Sequence, residues 1–425
     1  MTYDEAMFFI HNTEKYGSSL GLGNMFNLMA ELGNVQDKLK IIHIAGTNGK
    51  GSVGAFISEI LKFAGFKAGR YVSPTIFEYT ERFQINGKFI EKYKFCHICD
   101  KVKNAVEKIV SQGKCHPTSF EIETAAAFLY FYEEKCDFVL LETGLGGRLD
   151  ATNIIKENLC AVITSISIDH TDFLGNSLSE IALEKCGIIK NGSPVVSIFQ
   201  NNKVMSIIEE NCLKKKSNLI KVLKEDIFYN GFNDYYQNFN YKNYLNIKIR
   251  LLGNFQTENA SLAIEVVELL IKKGYNIKEK NIYDGLLNTV WQGRFQILGK
   301  NPVFVADGAH NSDAANRLRE NIQMYFKSKK IVFIAAVFKD KDYKKIAELT
   351  ADLADEIFVF TLKTPRGLDA EIFAEEFLKY NKNVFCVSDI EEAVSRSILA
   401  AGKDGVVIAF GSLSYMGELI RIYSD

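Results

Sequence analysis

The chain has almost no net charge: 51 Lys and Arg stand against 52 Asp and Glu, a formal balance of -1 at pH 7. That excludes the broad basic footprint of a general nucleic-acid binder and the polybasic patch of a membrane-surface protein. No apolar run reaches the 18 residues or so of a membrane-spanning helix. The N-terminal MTYDEAMFF lacks the positive segment that opens a secretory signal. A cytoplasmic protein is expected, with no nucleic-acid and no membrane partner. Cysteine occurs only at 96, 99, 115, 136, 160, 186, 212 and 386, a scatter that reads as free thiols. Cys96-His97-Ile98-Cys99 has no second pair at zinc-finger spacing and lies in a helix-like run, so it is not taken for a metal site. There is no internal repeat and no low-complexity segment.

What remains is a globular composition, 47% hydrophobic and 24% charged over 425 residues, too long for one comfortable core; two domains are the prior. Short apolar β-branched runs at 39–45, 68–72, 137–141, 159–165 and 194–198 alternate with helical spacing at 51–63, 92–110, 121–134 and 178–186. Such alternation implies a mostly parallel sheet covered on both faces. Residues 217–250, rich in Tyr, Asn, Phe and Lys, read as a small antiparallel β insertion. Helical spacing returns at 257–272 and 278–289. Trp291 to Phe295 reads as a joint, after which strands at 303–306, 331–337, 356–360, 384–387 and 406–410 mark a smaller Rossmann-like α/β domain. The expected fold is thus α/β, a domain over 1–296 carrying a phosphate loop on a mostly parallel sheet with a β insertion, then a C-terminal domain over 297–425.

The phosphate-loop expectation rests on HIAGTNGKGS at 43–52. Glycine N–H groups and a helix N-terminus can cradle an anion, and Lys50 would reach the outer phosphates. The usual pattern, Gly-x4-Gly-Lys-Ser/Thr, is violated twice: Ile44 stands where the first glycine belongs, and Gly51 takes the place of the hydroxyl. Ser52 sits about 100° further round the helix. Other polar residues gather at strand exits, where open α/β sheets bind ligands: Glu142, able to hold Mg²⁺, Asp169-His170, and Asp307 with His310. Arg294 can clamp phosphate with a bidentate fork. Lys185, within LSEIALEKCG, reads by itself as a surface lysine.

Together these blocks resemble the folylpolyglutamate synthase/dihydrofolate synthase family, within the ATP-dependent Mur-type ligases. The resemblance runs through HIAGTNGKGSV at 43–53, YVSP at 71–74, SFEIETAAAF at 119–128, LLETGLGGRLDATN at 140–153, SIDHTDFLG at 167–175, EKCGIIK at 184–190, GRFQIL at 293–298, VADGAHN at 305–311 and GSLSYMGEL at 411–419. It implies an enzyme that adds L-glutamate to folates through an acyl phosphate, with dihydropteroate as a possible further substrate. Thr47, Asn48, Gly49, Lys50, Gly51, Ser52, Asn259, Arg294, Asp307 and His310 would bind ATP. Ser73, Glu142, His170 and Lys185 would hold two Mg²⁺ ions, Lys185 as a carbamate. Lys50, His170, Lys185 and Arg294 would be catalytic. Leu22, Pro74, Thr118, Ser119, Phe120, Glu121 and Leu149 would line the folate pocket, although Thr75 to Tyr79 depart from the His-Leu of many relatives. No flavin or nicotinamide and a monomer are implied. The alternative within the fold is a ligase joining an amino acid to a UDP-muramoyl cell-wall precursor. Such enzymes usually carry Ser or Thr after the loop lysine, and an extra domain ahead of the loop where this sequence has only about 40 residues.

Overall fold

The computed structural model describes residues 1–13, 21–233 and 236–424. The chain forms two compact units: Met1–Ser73 with Tyr79–Arg250 and Thr257–Thr289, and Val290–Asp425 with Pro74–Glu78 and Leu251–Gln256. The second unit thus takes in two short segments from earlier in the sequence, which a single boundary at 296 and 297 does not describe.

In the first unit, β1 (Ile41–Ala45), β2 (Ala68–Tyr71), β3 (Phe83–Ile85), β4 (Lys88–Phe89), β5 (Phe138–Glu142), β6 (Cys160–Ile163), β7 (Val195–Ile198) and β8 (Leu219–Val222) form one sheet. Their order is β4-β3-β2-β5-β1-β6-β7-β8. The six strands from β2 to β8 across that order pair in parallel, and β3 and β4 add an antiparallel edge. β1, β5, β6 and β7 are buried along their whole length, as strands covered on both faces must be. The chain leaves β1 for one side of the sheet and crosses from β5 to the other. The carboxyl end of β1 is therefore the switch point where such sheets open a ligand crevice.

The helix after β1, Lys50–Phe63, buries Val53, Phe56, Ile57, Ile60 and Leu61, and also Gly51, Ser52, Gly54, Ala55 and Ser58. It is covered on two sides: Gly54 lies over Ile44 of the sheet, and Gly285 of the helix Glu279–Asn288 lies against Ile60. Two helices with no counterpart in the sequence reading, Tyr3–His11 and Gly23–Glu31, join Lys92–Ser111 and Ser119–Glu133 around Phe95, Phe128 and Phe131.

The expected insertion at 217–250 divides. β8 pairs in parallel with β7 and belongs to the main sheet. Only β9 (Ile227–Phe232), β10 (Gln237–Tyr241) and β11 (Tyr244–Ile249) form the antiparallel sheet. The reason is topological: β8 follows the helix Asn202–Lys214, the crossover that parallel pairing requires.

The second unit is a six-stranded sheet of β12 (Gln296–Lys300), β13 (Val303–Ala306), β14 (Ile331–Ala335), β15 (Glu356–Val359), β16 (Val384–Cys386) and β17 (Val406–Phe410), in the order β12-β13-β17-β14-β15-β16. Only β12 runs antiparallel. Helices cover both faces through two apolar clusters. Among the described residues, no helix is long and apolar enough to cross a membrane.

At Gly285 a Cβ would stand 2.5 Å from the Ile60 Cα, and a backbone atom cannot step aside. Gly285→Ala should destabilise the chain by about 1–3 kcal/mol through overpacking. The measurement is the urea midpoint, which should fall at unchanged slope.

Candidate active site

The turn from β1 into its helix is shaped by what surrounds it. Gly46 has φ +153, and a Cβ there would lie 1.8 Å from Thr164 Oγ1; Gly49 has φ +95, and its Cβ would lie 2.6 Å from Asn259 Oδ1. Both positions therefore exclude side chains, for space as well as for backbone conformation. The segment after β6 ties the loop down. Thr47 N donates to Ser165 O at 2.7 Å, and Thr47 Oγ1 both donates to Ser167 O and accepts from Ser167 N at 3.1 Å. Ser165 Oγ donates to Asn48 O at 3.2 Å. The first bond of the helix closes from Val53 N to Gly49 O. The N–H groups of Lys50, Gly51 and Ser52 thus belong to the helix's positive end, which favours an anion. Thr164, Ser165 and Ser167 were not singled out in the sequence; nothing local marks residues whose role is to accept a loop from another strand.

Two amines converge on one carbonyl. Lys50 Nζ donates to Gly46 O at 3.0 Å and to Thr47 O at 3.3 Å, and lies 3.9 Å from Glu142 Oε1. Lys185 Nζ donates to the same Gly46 O at 2.9 Å. Lys185 is 4% exposed, so the surface reading of that lysine is wrong. The cause is the close passage of the loop after β5 over the end of the helix Leu178–Cys186. A Cβ on Gly147 would meet Glu184 O at 2.8 Å and Lys185 O at 3.0 Å, and Arg148 N donates to Glu184 O. Burial, and next the neighbouring Lys50 charge, push the Lys185 ammonium down to a pKa of about 7, against the pull of Asp169 and Asp150.

Glu142 ends β5 and is buried. Ser73 stands two residues beyond Tyr71, whose register partner on β5 is Leu141, so Ser73 and Glu142 leave the sheet from neighbouring strands at the same edge. His170 is different: its backbone is left-handed at φ +52 and its side chain is 43% exposed. The Asp169 carboxylate accepts the His170 N–H at 2.9 Å and lies 3.9 Å from Nε2. The geometry thus brings together the loop, Lys50, Lys185 and Glu142, places Asn259 against Gly49, and leaves the His170 ring half in solvent.

The residues expected to face a second substrate are more tied to one another than the sequence suggested. Thr118 caps the helix Ser119–Glu133 and shares a capping box with Glu121, whose Oε2 accepts the Thr118 N–H at 2.8 Å. Glu121 Oε1 is buried without a hydrogen-bond partner. The Phe120 ring covers Gly144, where a Cβ would come within 2.4 Å of it. Leu22 precedes the helix Gly23–Glu31, Leu149 is half-buried, and Pro74 is exposed within the second unit. Asp150, absent from the expected set, is buried. It accepts Leu145 N at 2.8 Å and Thr152 N at 3.0 Å, so it fixes the loop that follows Glu142; burial raises its carboxyl above the usual range.

In the second unit, Asp307 is buried at the end of β13. Its Oδ2 accepts Phe295 N and its Oδ1 accepts Ala309 N, both at 2.7 Å. Burial pushes the carboxyl up to about 6, opposed first by the Arg294 charge. His310 Nδ1 lies 2.7 Å from Gly308 O; a carbonyl only accepts, so Nδ1 carries the proton.

Comparison with known proteins adds the following. Residues 44–267 match the Mur ligase middle domain, and residues 293–413 match the Mur ligase glutamate ligase domain. Dihydrofolate synthase/folylpolyglutamate synthase of Bacillus subtilis is 34% identical over 98% of this chain and 98% of its own. Folylpolyglutamate synthase of Lacticaseibacillus casei is 30% identical over 87% of each. Among solved structures, Mycobacterium tuberculosis folylpolyglutamate synthase complexed with ADP superposes with a TM-score of 0.91 at 27% identity, covering 100% of this chain and 99% of that one. Escherichia coli FolC in complex with DHPP and ADP gives 0.88 at 27%, covering 100% and 98%.

A side chain at position 46 has nowhere to go. Gly46→Ala should leave a cooperatively folded protein, because only the loop is displaced. It should abolish the rise in Tm that saturating ATP gives the parent chain, as read by differential scanning fluorimetry with and without nucleotide.

Proposed function

The chain belongs to the folylpolyglutamate synthase/dihydrofolate synthase family of Mur ligases, and from that premise we propose that it joins L-glutamate to folates at the expense of ATP, at the site around Gly46. The observation that carries the reading is the pair of amines on the Gly46 carbonyl, Lys185 buried and Lys50 part-buried, beside the Glu142 carboxylate and at the mouth of a phosphate loop.

The γ-phosphoryl group passes to the substrate carboxylate, ADP leaves, and the amine of glutamate attacks the acyl phosphate carbon. A C–N bond forms, the C–O bond to phosphate breaks, and the ammonium proton is released. Such transfer needs alignment and charge stabilisation more than covalent help from the protein. Thr47, Asn48, Gly49, Gly51 and Ser52 hold the triphosphate through the loop and helix end, and Asn259 packs against it at Gly49. Lys50 supplies positive charge to the outer phosphates. Arg294, Asp307 and His310 are assigned to the nucleotide as well.

The donor set suits a hard cation. Glu142 offers buried anionic oxygens and Ser73 a hydroxyl at the neighbouring strand exit, which makes up for the hydroxyl that Gly51 removes. An ammonium at 185 would repel a cation, but a carbamate would bind one. Burial among other charges holds Lys185 partly neutral near pH 7, so its lone pair can form a bond to the carbon of CO₂ and release a proton. Mg²⁺, as two ions held by Ser73, Glu142, His170 and the carbamylated Lys185, would supply charge that offsets the repulsion between carboxylate and triphosphate. The folate lies against Leu22, Thr118, Ser119, Phe120, Glu121 and Leu149, with the aromatic ring of Phe120 as its apolar wall. The chain acts on these small molecules as a monomer.

ADP release should require both a folate and L-glutamate; release from ATP alone, unaffected by either, would contradict the reading. Lys185→Ala should lower kcat by at least about 100-fold, the scale of losing several kcal/mol of charge stabilisation, and short carboxylic acids should restore part of it. Full activity in that variant would remove the carbamate from the account.

A further inference from the structure

Arg294 sits in an unusual turn. Gly293 before it has φ +67 and Phe295 after it has φ +46. The second is a left-handed conformation that a bulky aromatic residue adopts only when its surroundings enforce it. Three contacts do so. Phe295 is 1% exposed, and its ring packs tilted against Tyr325 and stacked on Phe326 at centroid distances of 5.5 and 6.0 Å. The Gly293 carbonyl accepts the Gly308 N–H at 2.9 Å. The Phe295 N–H is taken by Asp307 Oδ2 at 2.7 Å, while Oδ1 of the same carboxylate takes Ala309 N at 2.7 Å.

The carboxylate therefore bridges two stretches of backbone: the turn that carries Arg294 and the turn that carries His310. There is little slack in this join, since a Cβ on Gly308 would come within 2.3 Å of Leu413 and one on Gly293 within 3.2 Å of it. An acid so placed would normally be replaceable by a neutral acceptor. Here it is a buried group whose two oxygens each face an N–H donor, an arrangement that Asn cannot copy, because its amide nitrogen would oppose one of them.

We propose that Asp307 is a positioning residue for Arg294: its carboxylate clasps the Phe295 N–H, holds the left-handed turn, and so sets the direction in which the guanidinium leaves it. This rests on the ligase reading above and on Arg294 as its phosphate clamp. The clasp lies within the second unit and follows from its own contacts. The Arg294 charge is felt by the carboxylate, which places the two side chains in one electrostatic neighbourhood. Misplacing a clamp by about 1 Å is enough to cost about 100-fold in rate.

The test is a double-mutant cycle on the full chain, with parent, Asp307→Asn, Arg294→Ala and the double variant, each assayed for kcat and ATP KM in folate- and glutamate-dependent ADP release. Asp307→Asn should lower kcat/KM about 10- to 100-fold, with the loss divided between kcat and KM as in Arg294→Ala. The double variant should be little worse than Arg294→Ala alone, because the two changes act through one group. Losses that multiply in the double variant, a raised ATP KM at unchanged kcat in Asp307→Asn, or full activity in Arg294→Ala would each overturn the proposal. A parent chain with no such ADP release would instead defeat the ligase reading itself. Should Asp307→Asn fail to melt cooperatively, Asp307→Ser replaces it. Its hydroxyl can still accept Ala309 N within the turn but cannot reach Phe295 N, and the same non-multiplying losses are expected.

Discussion

Two lysine amines share the carbonyl oxygen of Gly46, and much of the first unit is arranged around that fact. Burial penalises the Lys185 ammonium first, and the neighbouring Lys50 charge adds to that penalty. Lys50 keeps a partner in Glu142 at 3.9 Å and stands at the loop mouth. Lys185 lies deeper and yields, with its pKa brought down to about 7. A residue type that is ordinarily a solvated cation thereby becomes a group that can be neutral, and reactive, at physiological pH. Glycine makes the convergence possible: at 46 the chain passes against Thr164, and at 147 it passes over the backbone of Glu184 and Lys185.

The same device recurs in the second unit with different chemistry. There a buried carboxylate, rather than a carbonyl, gathers two donors, and the donors are backbone N–H groups. In each case a polar atom taken out of water is satisfied by groups from separate stretches of chain, and those stretches carry residues that the proposed function assigns to the substrates. Buried polar groups have to be paired; here the pairing also sets geometry. Asp150 acts likewise on the loop after Glu142.

The sequence made legible what is local or periodic. Fully buried strands show as continuous apolar runs, and the glycines around Lys50 mark a strand-to-helix turn. Glu142 and Lys50 could be placed at one sheet edge because parallel strands put their ends together, while Ser73 entered only through the family resemblance. What escaped depends on distant segments. Lys185 has no periodic signature of burial, because the loop that covers it lies nearly forty residues earlier. β3 and β4 are three and two residues long, too short for a pattern. β8 was hidden in an aromatic and polar stretch whose remainder is antiparallel. The roles of Pro74–Glu78 and Leu251–Gln256 in the second unit are tertiary facts with no local mark. For the family relation, the ordered blocks sufficed, and the matched domains and relatives bear it out.

The proposed chemistry depends on the chemical state of Lys185. ¹³C NMR of the chain equilibrated with ¹³C-bicarbonate at pH 8 tests it directly. A carbamate carbonyl resonance is expected in the parent chain and should be missing from Lys185→Ala. Identical spectra from the two proteins would contradict it.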